Sequence, residues 1–328
     1  MKTIADLSGV STITVSRALR GSELVRPEVR EHVTQIARHL GYRMNVAARN
    51  LRTRESRTIA VAIDHELVGR DAYADPLVLS MIGGLLEVLT PAGYSMLLTT
   101  SEHFASSGAV GVDGAVILGQ GANAGRVNET SNLTVPTVIW GEPPARGKTV
   151  VVGSDNHMGG ALAAEHLVDG GASRILFLGD TRHPEVAARL AGLRQYLEST
   201  DAHLVATLPA QFSHSGGFDA TCNALNADIS FDAVFAASDA IAAGACDALI
   251  TQNVLVPAEV AIIGFDDAPI ASLHRPSISS IRQSGAEGGR TLGATILSLI
   301  EGGEPGHVPA LPVSLVPRDS SSKQSPNE

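Results

Sequence analysis

Short apolar runs alternate with helical patterns from residue 58 to residue 301, and this alternation constrains the fold more than any other feature. The apolar runs are TIAVAI, YSMLL, DGAVIL, TVIW, RILFL, HLVATL, DAVFAA and VAIIGF, all of strand length. Helical patterns fall between them over 76–89, 157–169, 184–198, 239–252 and 286–301. This alternation predicts an α/β body whose parallel sheets are covered by helices on both faces. Two such lobes fit the length, and a ligand then binds in the cleft between them, at the carboxyl ends of the strands.

Composition excludes several classes of protein. Hydrophobic residues make up 44% of the 328 residues and aromatic residues only 4%, as in α/β proteins rich in Val, Ala and Leu. The apolar runs are too short to cross a membrane and no signal peptide is visible before Asp6, so we expect a cytoplasmic protein with no membrane partner. Cys222 and Cys246 lack the spacing of a metal or redox site, and we expect both to be core thiols.

Charge is distributed unevenly along the chain. Residues 1–57 contain 11 Lys and Arg against 5 Asp and Glu, a net charge of +6. The remaining residues contain 13 against 29, a net charge of −16. A basic segment on an acidic body indicates a module that binds a polyanion. A basic surface without a partner is an alternative that charge alone leaves open.

The basic segment predicts three short helices with a tight turn between the first two. Thr3 can cap a helix that runs to about Ser8, Gly9 suits the positive φ of a turn, and Ser11 can cap a second helix. A third helix begins at Pro27, where the missing N–H costs nothing, and ends at Gly41. The apolar stripe of that helix is Val29, Val33, Ile36 and Leu40.

Three helices in this order form a helix-turn-helix, whose second helix can lie in a major groove of DNA. Val15 and Leu19 face the core, which leaves the other side of the second helix for base edges and phosphates. A three-helix surface domain that binds no DNA is the alternative. The side chains that we assign to DNA contact are Ser11, Thr12, Ile13, Thr14, Ser16 and Arg17.

Two stretches, IADLSGVSTITVSRALRG and LGYRMNVAARNLRT, make the sequence similar to the lactose/galactose-repressor (LacI/GalR) family of bacterial transcription regulators. The resemblance implies that Thr12 and Ile13 read operator bases and that Arg17 contacts a base or the backbone. Two positions depart from the family pattern. Met44 stands where the family usually has Pro, which makes the link to the next segment less rigid, and Arg26 replaces the usual Ser or Thr cap of the third helix.

The resemblance also implies a hinge helix over residues 45–52, with Asn45 as its cap and Leu51 as a wedge in the minor groove. A helix of seven or eight residues is not stable alone in water, so we expect it to fold only on DNA and beside a second hinge. An inserted Leu is an established means of kinking DNA. A flexible linker with an incidental Leu is the alternative. The residues of this segment that we assign to DNA contact are Asn45, Ala48, Leu51 and Arg52.

The resemblance continues through the body, in AASDAIAAGA, VAIIGFDDAP and HRPSISSIRQ among other stretches. It implies the two-lobed fold of periplasmic sugar-binding proteins, in which Asp266 accepts effector hydroxyls and Arg189 donates to a polar effector. Asp266 could instead cap a loop, and Arg189 could form a surface salt bridge. The four apolar candidates for effector contact could simply be core residues; they are Leu77, Val78, Trp140 and Phe212. The full set that we assign to the effector is Asp75, Leu77, Val78, Trp140, His183, Arg189, Phe212, Ser238 and Asp266.

Three local patterns need separate interpretation. Asp155, in GSDN, is expected to cap a helix rather than to bind a ligand. Asp266 and Asp267 are not expected to form an acid–base pair, because adjacent residues of a strand point to opposite faces. Only about a dozen residues separate the strand ending near Thr100 from DGAVIL, so the crossover there has room for at most a turn or two of helix.

A dinucleotide-dependent enzyme and a sugar-binding transport protein are the two alternative functions. GQGANAG, followed by Glu142, is superficially like a dinucleotide-binding fingerprint, but its spacing is GxGxxxG and it follows the third strand of the lobe. A sugar-binding transport protein would share the fold of the body but has no use for residues 1–57. We therefore predict no catalytic site, cofactor or metal.

The predicted protein is a repressor whose affinity for operator DNA is controlled by a small-molecule effector, a sugar or sugar derivative. It binds palindromic double-stranded DNA as a homodimer, since one helix-turn-helix reads a half-site. The predicted domains are a helix-turn-helix over 1–44, a hinge helix and linker over 45–57, an effector-binding and dimerisation domain over 58–319, and a disordered tail over 320–328. The tail has no apolar heptad, so no tetramer is expected.

Overall fold

Helices α1 (Lys2–Ser8), α2 (Thr12–Leu19) and α3 (Pro27–His39) surround a small apolar core in the computed structural model of the chain. Ile4, Val15 and Val33 supply its centre and are almost fully buried. The structure describes residues 1–19, 21–42, 55–64, 74–107, 111–122, 133–143, 149–304 and 308–321. It divides the chain into two compact units, Met1–Ser56 and Arg57–Glu328.

The turn between α1 and α2 agrees with the sequence pattern. Gly9 has a φ of 66°, in the left-handed region, and the amide of Val10 donates to the carbonyl of Ala5 at 3.2 Å. The Ser11 hydroxyl accepts from the amide of Thr14 at 3.1 Å, so the predicted cap of α2 is confirmed.

Two expectations for this unit are wrong. Thr3 lies inside α1 and does not cap it, because the helix already begins at Lys2. Leu40 is 48% exposed and follows the end of α3, so it does not continue the apolar stripe. Ala37 takes that place in the core, where a small side chain allows the helices to approach closely.

The second unit consists of two lobes, each with one sheet. Its strands are β1 (Thr58–Ile63), β2 (Ser95–Thr100), β3 (Gly114–Leu118), β4 (Thr137–Trp140), β5 (Val150–Val152), β6 (Arg174–Leu178), β7 (His203–Leu208), β8 (Ala233–Ala236), β9 (Ala261–Asp266), β10 (Ser279–Arg282) and β11 (Ser314–Val316). Its helices are α4 (Pro76–Leu89), α5 (Ser101–Ser107), α6 (Asn156–Asp169), α7 (Pro184–Leu197), α8 (His214–Asn226), α9 (Asp239–Thr251), α10 (Pro269–Leu273) and α11 (Gly285–Ile300).

The first lobe is a parallel sheet in the order β2-β1-β3-β4-β5, with α4 and α11 packed against each other on it. Gly84 of α4 and Gly289 of α11 allow this close approach. A Cβ atom at Gly84 would overlap the carbonyl oxygen of Ala286, and one at Gly289 would overlap that of Met81. The two helices therefore meet backbone to backbone.

The second lobe is a sheet in the order β11-β10-β9-β8-β6-β7, parallel except where β11 pairs antiparallel with β10. Its core contains an edge-to-face pair of Phe177 and Phe235, with ring centroids 5.3 Å apart. Cys246 is buried in this core as expected, whereas Cys222 is only partly buried.

The chain crosses between the lobes three times in the part that the structure describes. It passes from the first lobe to the second at 153–155, returns before α11 at 283–284, and passes again before β11. The first and third crossings are joined by hydrogen bonds from Leu311 N to Gly153 O at 2.8 Å and from Asp155 N to Leu311 O at 2.9 Å. Ser154 of the first crossing and Gln283 of the second line the space between the two lobes.

The predicted strands and helices of the body are confirmed to within a residue or two at each end. The crossover after β2 contains α5, a helix of seven residues, which agrees with the limit of a turn or two. The sequence pattern missed β5, β10, β11 and the helices α8 and α10. Among the described helices, none has both the length and the apolarity that a bilayer crossing requires.

Candidate functional site

A cavity that is open to solvent at its mouth lies between the two lobes. The ends of β1, β3 and β4 and the start of α4 contribute its wall from the first lobe. The second lobe contributes the start of α7 and the end of β9. This is the predicted place for a ligand of such a fold. The predicted effector residues that line the cavity are Asp75, Leu77, Val78, Trp140, Arg189, Phe212 and Asp266.

Asp75 lies at the N-cap of α4 and holds the start of that helix in place. One of its carboxylate oxygens accepts from the amides of Leu77 at 2.8 Å and Val78 at 3.1 Å. Burial raises the pKa of Asp75, although these two hydrogen bonds oppose the shift. The carboxylate therefore belongs both to the helix cap and to the cavity wall.

Trp140 and Phe212 provide the apolar surface of the cavity. Trp140 ends β4, is 8% exposed and also belongs to the core of the first lobe. Gly288 of α11 supports its ring from behind, since a Cβ atom at Gly288 would lie 2.6 Å from Trp140 Cζ3. The expectation that Trp140 lines the cavity and the alternative that it is a core residue are thus compatible.

Arg189 is buried on α7 and is held by three separate partners. Its Nε donates to Asn156 Oδ1 at 2.9 Å, its Nη1 donates to the carbonyl of Ala237, and its guanidinium carbon lies 3.6 Å from the centre of the Phe265 ring. Burial lowers the pKa of Arg189, while the charge of Asp266 opposes the shift. The alternative of a surface salt bridge is wrong, because the side chain is 4% exposed.

Asp266 ends β9 and has a φ of 104°, which is unusual for a residue other than Gly. Its Oδ1 accepts from Gln283 Nε2 at 2.5 Å. Burial raises the pKa of Asp266 to about 7, with the charges of Asp75 and Glu185 adding to the shift and Arg189 opposing it. The carboxylate therefore changes its charge near neutral pH.

Asp267 has a different environment from its neighbour. It forms ion pairs with Arg282, at 2.7 Å, and with Arg318. Because it faces these cations while Asp266 faces the cavity, the two carboxylates are not an acid–base pair, as predicted from the sequence.

His183 and Ser238 are not among the residues that line the cavity. His183 precedes α7 and lies edge-to-face with Phe212 at a centroid distance of 6.0 Å, so it supports the apolar wall from behind. Ser238 caps α9, where its hydroxyl accepts from the amide of Ile241 at 3.3 Å. A direct contact of either side chain with an effector stays a prediction.

Several polar residues of the cavity were not predicted from the sequence. Apart from Asp64, which follows β1, they lie at or next to the crossings or on α7, and their places depend on how the lobes meet. Asn156 donates to Glu142 Oε2 at 2.8 Å while it accepts from Arg189, so it orients both. The neighbouring Asp155 accepts from Met158 N at 2.9 Å, which confirms it as a cap. The polar wall residues missed in this way are Asp64, Ser154, Asn156, Glu185 and Gln283.

Gln120, in the stretch GQG, bonds to the backbone of Glu142 rather than forming a phosphate cradle. Its Nε2 donates to Glu142 O at 2.6 Å and its Oε1 accepts from Glu142 N at 2.7 Å. The Glu142 carboxylate points to Asn156, and burial raises its pKa. Residues 123–132, which contain the rest of the glycine stretch, lie outside the described residues.

Helix α2 presents the predicted DNA-contacting side chains on its outer side. Thr12, Ile13 and Arg17 are exposed, and Ile13 keeps 63% of its surface in solvent although it is apolar. Arg17 and Arg26 flank a groove between α2 and α3. Ser11 and Thr14 form the cap at the start of the helix, and Ser16 is half-buried beside them. The predicted hinge residues Asn45, Ala48, Leu51 and Arg52 lie outside the described residues.

Comparison with known proteins identifies both units. The model of the lacI family of bacterial regulatory proteins matches residues 1–45, and that of the periplasmic binding protein-like domain matches residues 164–321. The chain is 30% identical to the HTH-type transcriptional regulator CelR of Thermobifida fusca, over 92% of each chain. It is 28% identical to the ribose operon repressor of Escherichia coli (strain K12), over 86% of this chain and 87% of that one.

Two solved structures are similar over the same extent. The lac repressor dimer bound to operator and the anti-inducer ONPF has a TM-score of 0.86 at 26% identity and covers 97% of each chain. The complex of the transcriptional regulator CelR with cellobiose has a TM-score of 0.74 at 27% identity, covering 97% of this chain and 98% of that one. Since the resemblance is full-length in sequence and in fold, this chain belongs to the lacI family of bacterial regulatory proteins and is a DNA-binding transcription regulator, not an enzyme.

Proposed function

We propose that this regulator is a repressor that binds a palindromic operator as a homodimer and changes its operator affinity when a sugar or sugar derivative occupies the cavity. The observation that carries the proposal is the cavity itself, whose wall contains the acidic residues Asp75 and Asp266 and the aromatic residues Trp140 and Phe212. Carboxylates accept hydrogen bonds from hydroxyl groups, and aromatic rings pack on the apolar face of a sugar ring. Relatives named for cellobiose and ribose support this class of effector.

The second helix of the helix-turn-helix reads the operator. Ile13, which is exposed and β-branched, suits the methyl group of thymine, while Thr12 and Arg17 suit base edges and phosphates. Ser11 and Thr14, which form the cap at the start of the same helix, and Ser16 keep their assignment to DNA contact. For the hinge, we keep the assignment of Asn45, Ala48, Leu51 and Arg52 to the minor groove, on the sequence resemblance.

A homodimer is supported by exposed leucines on adjoining elements of the first lobe. Leu79 and Leu86 lie on α4, and Leu97 and Leu98 lie on β2, the outermost of the described strands of that sheet. Large exposed apolar side chains on neighbouring elements indicate an interaction surface. A second copy is the occupant that a palindromic site requires, because symmetry of the protein then matches symmetry of the DNA. We propose a cytoplasmic location, where the bacterial operator lies.

The test starts from the full-length protein and a pool of random-sequence duplexes. Rounds of selection should enrich a palindrome with two half-sites, and Arg17→Ala should fail to enrich it. Titration of the selected duplex is then repeated with a sugar library. Enrichment of an asymmetric site, or of none, would contradict the proposal for DNA. An operator affinity that no sugar or sugar derivative alters would contradict the proposal for the effector.

A further inference from the structure

The cavity is rich in hydrogen-bond acceptors and carries an excess of negative charge. Asp75 from the first lobe and Glu185 and Asp266 from the second all lie on its wall, and Asp64 lies there too. Among the described wall residues, Arg189 supplies the positive charge. Even without Asp64, three carboxylates share one counter-charge, and the charges of Asp75 and Glu185 act on Asp266. An uncharged ligand that displaces water from the cavity would leave this excess of negative charge uncompensated.

Part of the donor capacity of the wall is already used within the protein. Arg189 donates to Asn156 and Ala237 and stacks on Phe265. Asn156 donates to Glu142 and to the carbonyl of Ser154, and Gln283 donates to Asp266. Arg189 uses two of its five N–H groups in this way, so a ligand meets the three carboxylates together with the remaining N–H groups of Arg189.

Two polar atoms of the wall have no hydrogen-bond partner within the described residues. Ser154 is 2% exposed and its hydroxyl is unpaired, and Glu185 Oε2 is buried and unpaired. Buried polar atoms are normally satisfied, and their occurrence on a cavity wall indicates a polar ligand that completes them. An ionised Glu185 carboxylate can accept hydrogen bonds but cannot donate them, so a ligand that pairs with it must supply a donor.

We propose that the natural effector carries a protonated amine, and that it is an amino sugar whose ammonium group lies between Asp75, Glu185 and Asp266. This inference rests on the proposed function, since it names the class of sugar that the same cavity takes. An ammonium group supplies three donors and one positive charge, which match the excess of carboxylates. Trp140 and Phe212 accommodate the apolar face of the ring and attract the cation through their π-systems.

The experiment compares each amino sugar with its neutral parent and its N-acetyl derivative. Isothermal calorimetry on the full-length protein at pH 7, where the amines are mostly protonated, uses glucosamine, galactosamine, mannosamine and the β-1,4-linked glucosamine disaccharide. The best amino sugar should bind at least about tenfold more tightly than both its parent and its N-acetyl form. The preference should weaken as salt concentration rises.

A matched pair of variants tests whether the ammonium group lies beside Glu185. Glu185→Gln keeps the shape of the side chain and removes its charge, so it should lower the preference for the amine about tenfold without lowering affinity for the neutral parent to the same degree. Glu165→Gln removes a charge from the exposed side of α6 and should leave both affinities unchanged. Operator titration of each variant without sugar shows that it is folded.

The outcomes separate this inference from the proposed function. If a neutral or N-acetylated sugar binds as tightly as its amine, the amine is not recognised and the inference is wrong, although control by a sugar stands. Failure of every amino sugar to bind also overturns it. Tight binding of an amino sugar to a protein that selects no operator would support the inference and contradict the proposal for DNA.

Discussion

Arg189 and Phe265 form a stacked pair in the second lobe, with the guanidinium carbon 3.6 Å from the ring centre. The flat guanidinium needs this contact and its bonds to Asn156 and Ala237 because the side chain is buried. A Lys in its place has a compact ammonium that cannot stack and donate in this planar pattern. The pair therefore fixes the cation on the cavity wall.

Arg189→Lys should lower the free energy of unfolding by about 1–3 kcal/mol, since it leaves buried acceptors at Asn156 and Ala237 unpaired. It should also weaken effector binding by a similar amount. Urea denaturation and calorimetry measure the two effects. Arg194→Lys, in the last turn of the same helix, is the control and should change neither. Equal stability of Arg189→Lys and the parent protein would mean that the planar contacts are unimportant.

Asp266→Asn should make the ligand-free protein more stable at pH 8 than the parent. The folded carboxyl has a pKa of about 7, whereas an unfolded Asp titrates near 3.9. Between these pKa values the Asp266 carboxyl is protonated in the folded state and ionised in the unfolded state. The free energy of unfolding therefore falls as pH rises from about 4 to 7. Removing the charge should relieve a free-energy cost on the order of 4 kcal/mol above pH 7 and little below pH 4.

Thermal unfolding of both proteins across this pH range checks the sign. Asp267→Asn is the matched control, because it removes ion pairs with Arg282 and Arg318 and should lower stability instead. A parent protein that becomes more stable between pH 5 and pH 8, with no change in that slope in Asp266→Asn, would contradict the assignment of the cost to Asp266.

Gly288→Ala should weaken effector binding by displacing Trp140. The added Cβ atom would lie 2.6 Å from Trp140 Cζ3, so the ring must move towards the cavity, at a cost of about 1–3 kcal/mol in stability. Gly83→Ala is the control, since its Cβ atom meets nothing within 4 Å in α4 and should stabilise the helix by about 0.5–1 kcal/mol. Trp140 fluorescence should change in the first variant only; an unchanged spectrum with unchanged affinity would show that the ring is not part of the wall.

Arg17→Ala should weaken operator binding by about 1–3 kcal/mol, as expected for one lost base or phosphate contact. Arg38→Ala removes the same charge from the last turn of α3 and should have a much smaller effect. Mobility-shift titrations at several salt concentrations distinguish the two. Equal losses in both variants would indicate general attraction to DNA rather than a groove contact.

Leu97→Asp should convert the proposed dimer to a monomer, because it replaces an exposed leucine of the edge strand β2 with a charge. Loss of the dimer should also reduce operator affinity, since each copy reads half of the site. Sedimentation velocity gives the oligomeric state. A variant that sediments like the parent protein would exclude this face as the interface.

The long strands were predictable because both faces of their sheet are covered. β1, β6 and β9 are buried over nearly their whole length, so almost every residue is apolar and the run is visible in the sequence. β10 was missed for the opposite reason. Its buried Ser279 and Ser280 are polar and are satisfied by partners far along the chain, Arg318 O and Asp239 Oδ1.

The candidate site was predictable only in part. Asp266 and Arg189 stand in motifs that resemble a known family, and both line the cavity. Ser154 and Gln283 lie at crossings between the lobes, where nothing in the local sequence indicates which way a side chain points. Their role depends on how distant segments meet, which a periodic pattern does not contain.

Helix α11 completes the first lobe although it is made after nearly all of the second. A ribosome synthesises the chain from its N-terminus, so β1 to β5 and α4 emerge long before residues 285–300. Until then, the surface of α4 around Gly84 has no partner, and the first lobe cannot reach its final form. The second lobe, in contrast, has most of its strands and helices in one continuous stretch. Because β6 to β10 precede α11 and only the edge strand β11 follows it, the later-synthesised lobe should reach most of its fold before the first lobe does.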